Sequence, residues 1–164
     1  MSALADTAAA AALKDILPVK VVVAGACDAP ALVTRQPINF TAAMCKPPNI
    51  LPSKRAEVRD AHHELFRQNV GGRALVFPAC IGSTHTGLVL LDLVSLGKGP
   101  AALIVQSCDS LLISGVILSE VWLGPVIPIV EYPGEDLFDR IGTGDRLVLE
   151  PGSDRLHVYS GAPQ

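Results

Sequence analysis

The stretch Arg73-Ala74-Leu75-Val76-Phe77-Pro78-Ala79-Cys80-Ile81-Gly82-Ser83-Thr84-His85 decides the fold. Residues 73–77 form a short apolar strand that stops at Pro78, which cannot continue a hydrogen-bonded ladder. A helical run is predicted over 84–96, closed by Gly97 and Gly99. Apolar residues at 88, 89, 90, 91, 93, 94 and 96 wrap almost all of that helix, so it must be covered on more than one side. A strand that turns into a helix through Gly-Ser-Thr-His is the kind of place where α/β proteins open a ligand crevice, at the carboxyl end of a strand.

Working outward, residues 101–105 are too uniformly apolar for a wet face and predict a strand in a parallel or sandwiched position. Residues 111–123 pull toward both helix and strand, and a helix from 113 fits better. A strand over 126–131, a short helix over 135–141, and a hairpin of 146–150 with 156–159 across Pro151-Gly152-Ser153-Asp154 complete this half. Upstream, strands are predicted at 20–24 and 31–34, separated by an Asp28-Ala29-Pro30 turn. The Ala-rich residues 2–17, ending at Pro18, predict a short helix or a loosely ordered arm. The expected organisation is therefore an arm over 1–18 and one domain over 19–164. Between 37 and 60 periodicity dissolves around Pro47, Pro48 and Pro52, the mark of a functional or disordered loop. The pattern is mixed α/β.

Composition narrows the function. The 164 residues are 49% apolar and 18% charged, against a usual ~25% charged, and mean hydropathy is +0.40. Such a chain buries more than a monomer of its size usually does, or it meets another protein. Its longest unbroken apolar runs, such as 8–13 and 88–91, fall far short of the ~20 residues that cross a bilayer, so no membrane span is expected. No positively charged leader precedes the Ala-rich run, and a cytoplasmic location is the expectation. A net charge of −3, no basic block, and only four Phe, two Tyr and one Trp argue against nucleic acid. Cys27, Cys45, Cys80 and Cys108 show no paired spacing, so they read as free thiols, and a metal centre would need a second chain.

The 80–85 turn is where chemistry could sit, because a helix N-terminus presents free N–H groups and a positive dipole end beside three polar side chains. Ser83 or Thr84 could equally be a helix cap, and the two roles are compatible. Cys80 is either a buried thiol or near enough to reach a shared metal, a question that also applies to Cys45. His62 and His63 point in different directions on a helical turn, which leaves His63 a structural hydrogen-bonding residue. Lys46, Lys54, Arg55 and Arg59 are solvated loop charges or the contact for an anionic substrate. Asp109 and Glu120 have no evident partner and receive no role.

A set of ordered motifs now carries a resemblance. They are Ala31-Leu32-Val33, Pro37-Ile38-Asn39-Phe40, His63-Glu64-Leu65, Gly72-Arg73-Ala74-Leu75-Val76-Phe77-Pro78, Gly82-Ser83-Thr84, Gly99-Pro100-Ala101-Ala102 and Gly144-Asp145. In order and spacing, residues 21–158 resemble the small swivelling subunit or domain of the aconitase X family. The resemblance implies a swivelling β/β/α domain in a heterodimeric hydro-lyase that dehydrates a hydroxy acid. A substrate like cis-3-hydroxy-L-proline is favoured, with phosphomevalonate the other family example. It also implies an iron–sulfur cluster or iron held mainly by a large partner subunit. The family's proton-accepting serine maps onto Ser83, with Gly82, Thr84 and His85 on the substrate-binding surface and Cys80 as a conceivable metal contact. Where many members carry Ser-Phe-Trp-Gly-Gly, this chain has Asn39-Phe40-Thr41-Ala42-Ala43, and His85-Thr86-Gly87 stands where smaller residues are commoner.

A serine hydroxyl is a poor base in water. Ser83 can take a proton only if its developing alkoxide is stabilised by N–H groups or other neighbours. Two alternatives stay open. Gly-Ser-Thr-His also resembles the phosphohistidine loop of swivelling phosphotransfer domains, with His85 as the phosphorylated residue, and the chain could be a non-catalytic assembly module.

Overall fold

The computed structural model describes residues 12–46, 49, 51 and 55–161. At its centre, strands β4 (Ala74–Phe77) and β5 (Ala102–Val105) run parallel and are buried along their whole length. Alternation sends Leu75, Phe77, Leu103 and Val105 into one core and Ala74, Val76, Ala102 and Ile104 into another. A strand with two buried faces has no polar positions, which accounts for much of the unusual hydropathy. Strand β6 (Ile129–Glu131) extends this sheet in parallel, and β2 (Lys20–Val23) closes the edge antiparallel to it.

On the other side of β4 lies β3 (Cys27–Val33), which serves two ladders. Ala31, Leu32 and Val33 pair in parallel with β4, while residues from Cys27 to Pro30 pair antiparallel with β7 (Arg146–Leu149). Strand β8 (Arg155–Tyr159) follows β7 in a hairpin, and β1 (Leu13–Pro18) lies outermost. The sheet order is β1-β8-β7-β3-β4-β5-β6-β2. Leu17, Leu147, Leu149, Leu156 and Val158 from the antiparallel half cover one face of the parallel half, helped by Leu137 of the short helix α4 (Leu137–Arg140). Helices α1 (Phe40–Met44), α2 (Thr86–Ser95) and α3 (Ser110–Leu123) cover the other face. The result is the expected β/β/α layering. Among the described residues no helix is long and apolar enough to cross a membrane.

Several local expectations are corrected. Residues 13–18 are not a helix or a loose arm but a paired strand; residues 1–11 lie outside the described part. Helical propensity is overridden by the β8 ladder and by Arg140, whose Nε and Nη2 hold the two Asp15 carboxylate oxygens at 2.7 and 2.8 Å. Asp28-Ala29-Pro30 is no turn, because these residues belong to β3. Pro30 sits at its changeover between ladders, where the missing N–H costs little. Strand β6 begins only at Ile129, and α3 starts at Ser110 rather than 113, because the Asp109 carboxylate caps the Leu112 N–H at 2.8 Å. Within 37–60, of which 47, 48, 50 and 52–54 lie outside the described residues, the described part contains α1 and buries Phe40, Met44, Ala56 and Val58. Side-chain-to-backbone bonds organise it: the buried Asn49 donates to Met44 O and Glu57 O at 3.0 and 2.9 Å and accepts from Glu57 N at 2.9 Å. The fully buried Lys98 ammonium donates to Asn49 O and Leu51 O, each at 2.5 Å.

Helices α2 and α3 meet backbone to backbone. A Cβ at Gly115 would stand 2.5 Å from Gly87 Cα, and one at Gly87 would stand 2.8 Å from Leu111 O. Gly87 lies two residues after His85, so this contact sets the height at which α2 presents its N-terminus. Gly115→Ala should gain roughly 1 kcal/mol in helix propensity but lose about 1–3 kcal/mol to overpacking against backbone that cannot rotate away. Destabilisation is the expected net result in a denaturant melt, and greater for Gly115→Val; an unchanged or raised midpoint for Gly115→Ala would refute the close crossing.

Candidate functional site

Beyond β4, the chain is held from two sides. Pro78 O accepts from Gln106 N and Ser107 N at 3.1 and 3.0 Å, joining the carboxyl ends of β4 and β5. Ile38 donates to Ala79 O at 3.1 Å and accepts from Ile81 N at 3.0 Å. Phe40 meets Phe77 edge to face with ring centroids 5.9 Å apart, which fastens α1 beside this turn. Gly82 then adopts φ +92°, and a Cβ there would reach within 2.6 Å of the Asn39 carboxamide carbon. Only glycine suits both conditions.

Ser83 follows, half-buried, with Thr84 and His85 exposed. Neither Ser83 nor Thr84 caps α2, contrary to the simplest expectation. His85 takes the cap position, and its side chain makes no capping hydrogen bond to the first turn. Ser83 turns back on the loop instead: its Oγ accepts from His85 N–H at 3.1 Å and lies 2.8 Å from His85 Nδ1. Its carbonyl accepts from Thr86 Oγ1 at 3.0 Å, which fixes the serine backbone to the start of the helix. The hydroxyl thus has a donor aimed at its oxygen, a ring nitrogen beside it, and an uncapped helix N-terminus next in the chain.

His85 also lines a cavity of about 410 Å³ between α1 and α2. Thr41, Met44 and Cys45 form its α1 wall, and Leu88, Val89, Asp92 and Leu93 its α2 wall. The Thr41 hydroxyl is buried there without a hydrogen-bond partner among the described residues. Among the described residues the lining holds a carboxylate and no lysine or arginine. Asn39, which shields Gly82 and caps α1 by accepting from Ala42 N at 3.1 Å, and Thr41 were not singled out from the sequence as site residues. The cap-type residue Asn39 ahead of an apolar run was the available signal for the first; Thr41 had none.

His63 is buried and accepts from Leu65 N at 3.1 Å through Nδ1, while its Nε2 has no partner among the described residues. His62 is exposed. Arg55 and Arg59 share Glu57 at 3.1 and 3.2 Å, and Lys54 lies outside the described residues.

Comparison with known proteins gives these features a context. Residues 16–158 match the family described as the aconitase X swivel domain. The phosphomevalonate dehydratase small subunit of Methanopyrus kandleri is 32% identical over 76% of this chain and 83% of its own length. The cis-3-hydroxy-L-proline dehydratase of Pseudomonas aeruginosa is 36% identical over 67% of this chain, but that match occupies 18% of its length. Aconitase X of Thermococcus kodakaraensis, solved in its holo-form, superposes with a TM-score of 0.73 and 25% identity over 89% of this chain and 99% of the other. The phosphohistidine alternative is carried no further.

The cysteines do not fit a metal centre built by this chain. Cys80 and Cys108 follow the carboxyl ends of β4 and β5. Burial pushes the Cys80 thiol far up, and the nearby Asp109 charge adds to the shift. Burial, then the Glu131 and Asp109 charges, raise Cys108 to about 11. A thiol held protonated is a poor ligand. Among the described residues no group of three or more His, Cys, Asp or Glu side chains could hold a metal ion. Cys45 is the exposed thiol, whereas Cys27 is buried and raised to about 11. Alkylation near neutral pH, followed by peptide mass mapping, should therefore label Cys45 first and Cys80 slowly. Rapid labelling of Cys80 would show that its thiol is activated in this chain alone.

Proposed function

The chain belongs to the aconitase X swivel-domain family, and from that premise we propose that it is the small subunit of a hydro-lyase in which Ser83 accepts the proton removed from a hydroxy acid. The observation that carries this reading is the Ser83 oxygen, which receives the His85 N–H at the mouth of an uncapped helix. A negative charge growing on that oxygen meets a donor already in place, which is what a serine needs to act as a base. Gly82, Thr84 and His85 make up the neighbouring substrate surface. A cluster that polarises the departing hydroxyl, if the enzyme uses one, belongs to the large subunit, since among the described residues no group of three or more His, Cys, Asp or Glu side chains could hold it.

A substrate of the cis-3-hydroxy-L-proline kind is the first reading, since Asp92 in the cavity wall offers a carboxylate to a substrate ammonium. Phosphomevalonate is the second reading. It is favoured by the Methanopyrus kandleri relative, a small subunit that aligns over most of its length, and it would require the partner to supply the cations for phosphate. In the assembled complex, Ser83→Ala should lower turnover of the true substrate by about 10²–10⁴-fold without preventing assembly. Assays with both compounds identify the substrate, and near-normal turnover by Ser83→Ala would remove the serine from the mechanism.

The partner has a natural seat. Leu88 on α2 is 56% exposed and Trp122 on α3 is 65% exposed, with Ile117, Val121 and Leu123 also uncovered on α3. Leu88, Leu91, Trp122 and Leu123 line one shallow groove across both helices. In the Pseudomonas aeruginosa relative, the matched stretch is a minor part of a longer chain, consistent with a large body packed against this module. The isolated small subunit should self-associate with rising concentration in sedimentation velocity, and Trp122→Ser should weaken that association. A wild-type chain that stays monomeric at high concentration would count against the surface.

A further inference from the structure

The serine-base reading leaves the serine's own proton unaccounted for, and the His85 ring stands beside it. Ser83 Oγ already accepts the His85 N–H at 3.1 Å, so its proton is directed elsewhere; His85 Nδ1 lies 2.8 Å from the same oxygen. In the neutral ring protonated at Nε2, Nδ1 is an acceptor and the Ser83 hydroxyl donates to it. The ring is exposed and is fixed at its base, where His85 O accepts from Val89 N at 3.0 Å in the first turn of α2.

We propose that His85 is the proton outlet of Ser83, so that the two residues work as a serine–histidine pair within one loop. This inference rests on the proposed role of Ser83 and adds the residue that makes the role chemically workable. As Oγ takes the proton from the substrate C–H, its original proton passes to His85 Nδ1. The C–H electron pair becomes the new carbon–carbon π bond. The C–O bond breaks and its pair leaves on the hydroxyl. That hydroxyl and the proton held by His85 together make up the eliminated water, which returns His85 to neutrality, while Ser83 is left as a hydroxyl carrying the proton taken from the substrate. The backbone N–H of the same histidine steadies the oxygen throughout, so a single residue supplies both the donor and the acceptor that the serine requires.

The experiment uses the assembled two-subunit enzyme and compares His85→Ala, His85→Asn, Ser83→Ala and the double variant Ser83→Ala/His85→Ala, with assembly verified for each. His85→Ala should lower kcat by ~10²-fold or more, a larger effect than its change in KM. His85→Asn offers an acceptor where Nδ1 stood but cannot hold the proton, so its kcat should stay low. The double variant should be no slower than Ser83→Ala, because two residues acting through one step are not additive. Wild-type kcat in His85→Ala overturns the inference, as does full recovery in His85→Asn, which would reduce the ring to an orienting contact. A further loss in the double variant also overturns it, by showing that His85 acts apart from Ser83. If His85→Ala is active while Ser83→Ala is not, the outlet falls and the serine base stands; if Ser83→Ala is active, both fall.

Discussion

One strand has to satisfy two sheets. Strand β3 gives its first half to an antiparallel ladder with β7 and its second half to a parallel ladder with β4, and Pro30 stands at the changeover. Backbone groups in a buried strand must find partners, so the switch is bridged by Ala31 N donating to Asp145 O at 2.7 Å and Gly144 N donating to Ala31 O at 3.0 Å. Asp145 adds a second tie. Burial pushes its carboxyl up, but the Lys14 ammonium at 2.7 Å and the N–H groups of Gly142 and Gly161 outweigh that, and its pKa ends below the usual range. Folding an antiparallel sheet over the back of a parallel one frees the opposite face for helices, which is what places every candidate site residue on one side.

From that scaffold to the chemistry there are few adjustable parts. The parallel strands end together at Phe77 and Val105. Gly82 bends the chain under Asn39, and the glycine crossing of α2 and α3 fixes the next helix against its neighbour. Ser83 is left on a turn whose two neighbours in space, the amide and the ring of His85, come from the same residue. Positioning by so short a loop costs little entropy, since few torsions separate the serine oxygen from the groups that meet it. The uncapped start of α2 is consistent with a site in use: a side chain that satisfied those N–H groups would occupy the place of a ligand.

Much of this was legible in the residues. Apolar strands at 73–77 and 101–105, the helix after Ser83 and the Pro151-Gly152-Ser153-Asp154 hairpin led to a mixed α/β fold, because local period and turn chemistry are written in neighbouring residues; the swivelling layering came from the family resemblance carried by the motif order. The failures share a cause. Residues 13–18 become a strand because β8 is there to pair with them. The described residues of 37–60 are held by Asn49 and Lys98, which donate to backbone carbonyls, and carbonyls have no residue type to read. Asp28-Ala29-Pro30 carries turn chemistry that a distant strand, β7, overrides.

Sequence alone determined the class of fold, the serine at the strand-to-helix turn, and an apolar surplus too large for a simple core. Tertiary structure decided which residues meet: that Ser83 addresses His85 rather than capping α2, that burial pushes the Cys80 thiol up, and that α1 and α2 part to leave a cavity whose Thr41 hydroxyl has no partner among the described residues. The physical reason is range. Propensity and periodicity act between residues a few positions apart, whereas hydrogen-bond direction, burial and the charge state of a thiol depend on groups brought close by the whole chain.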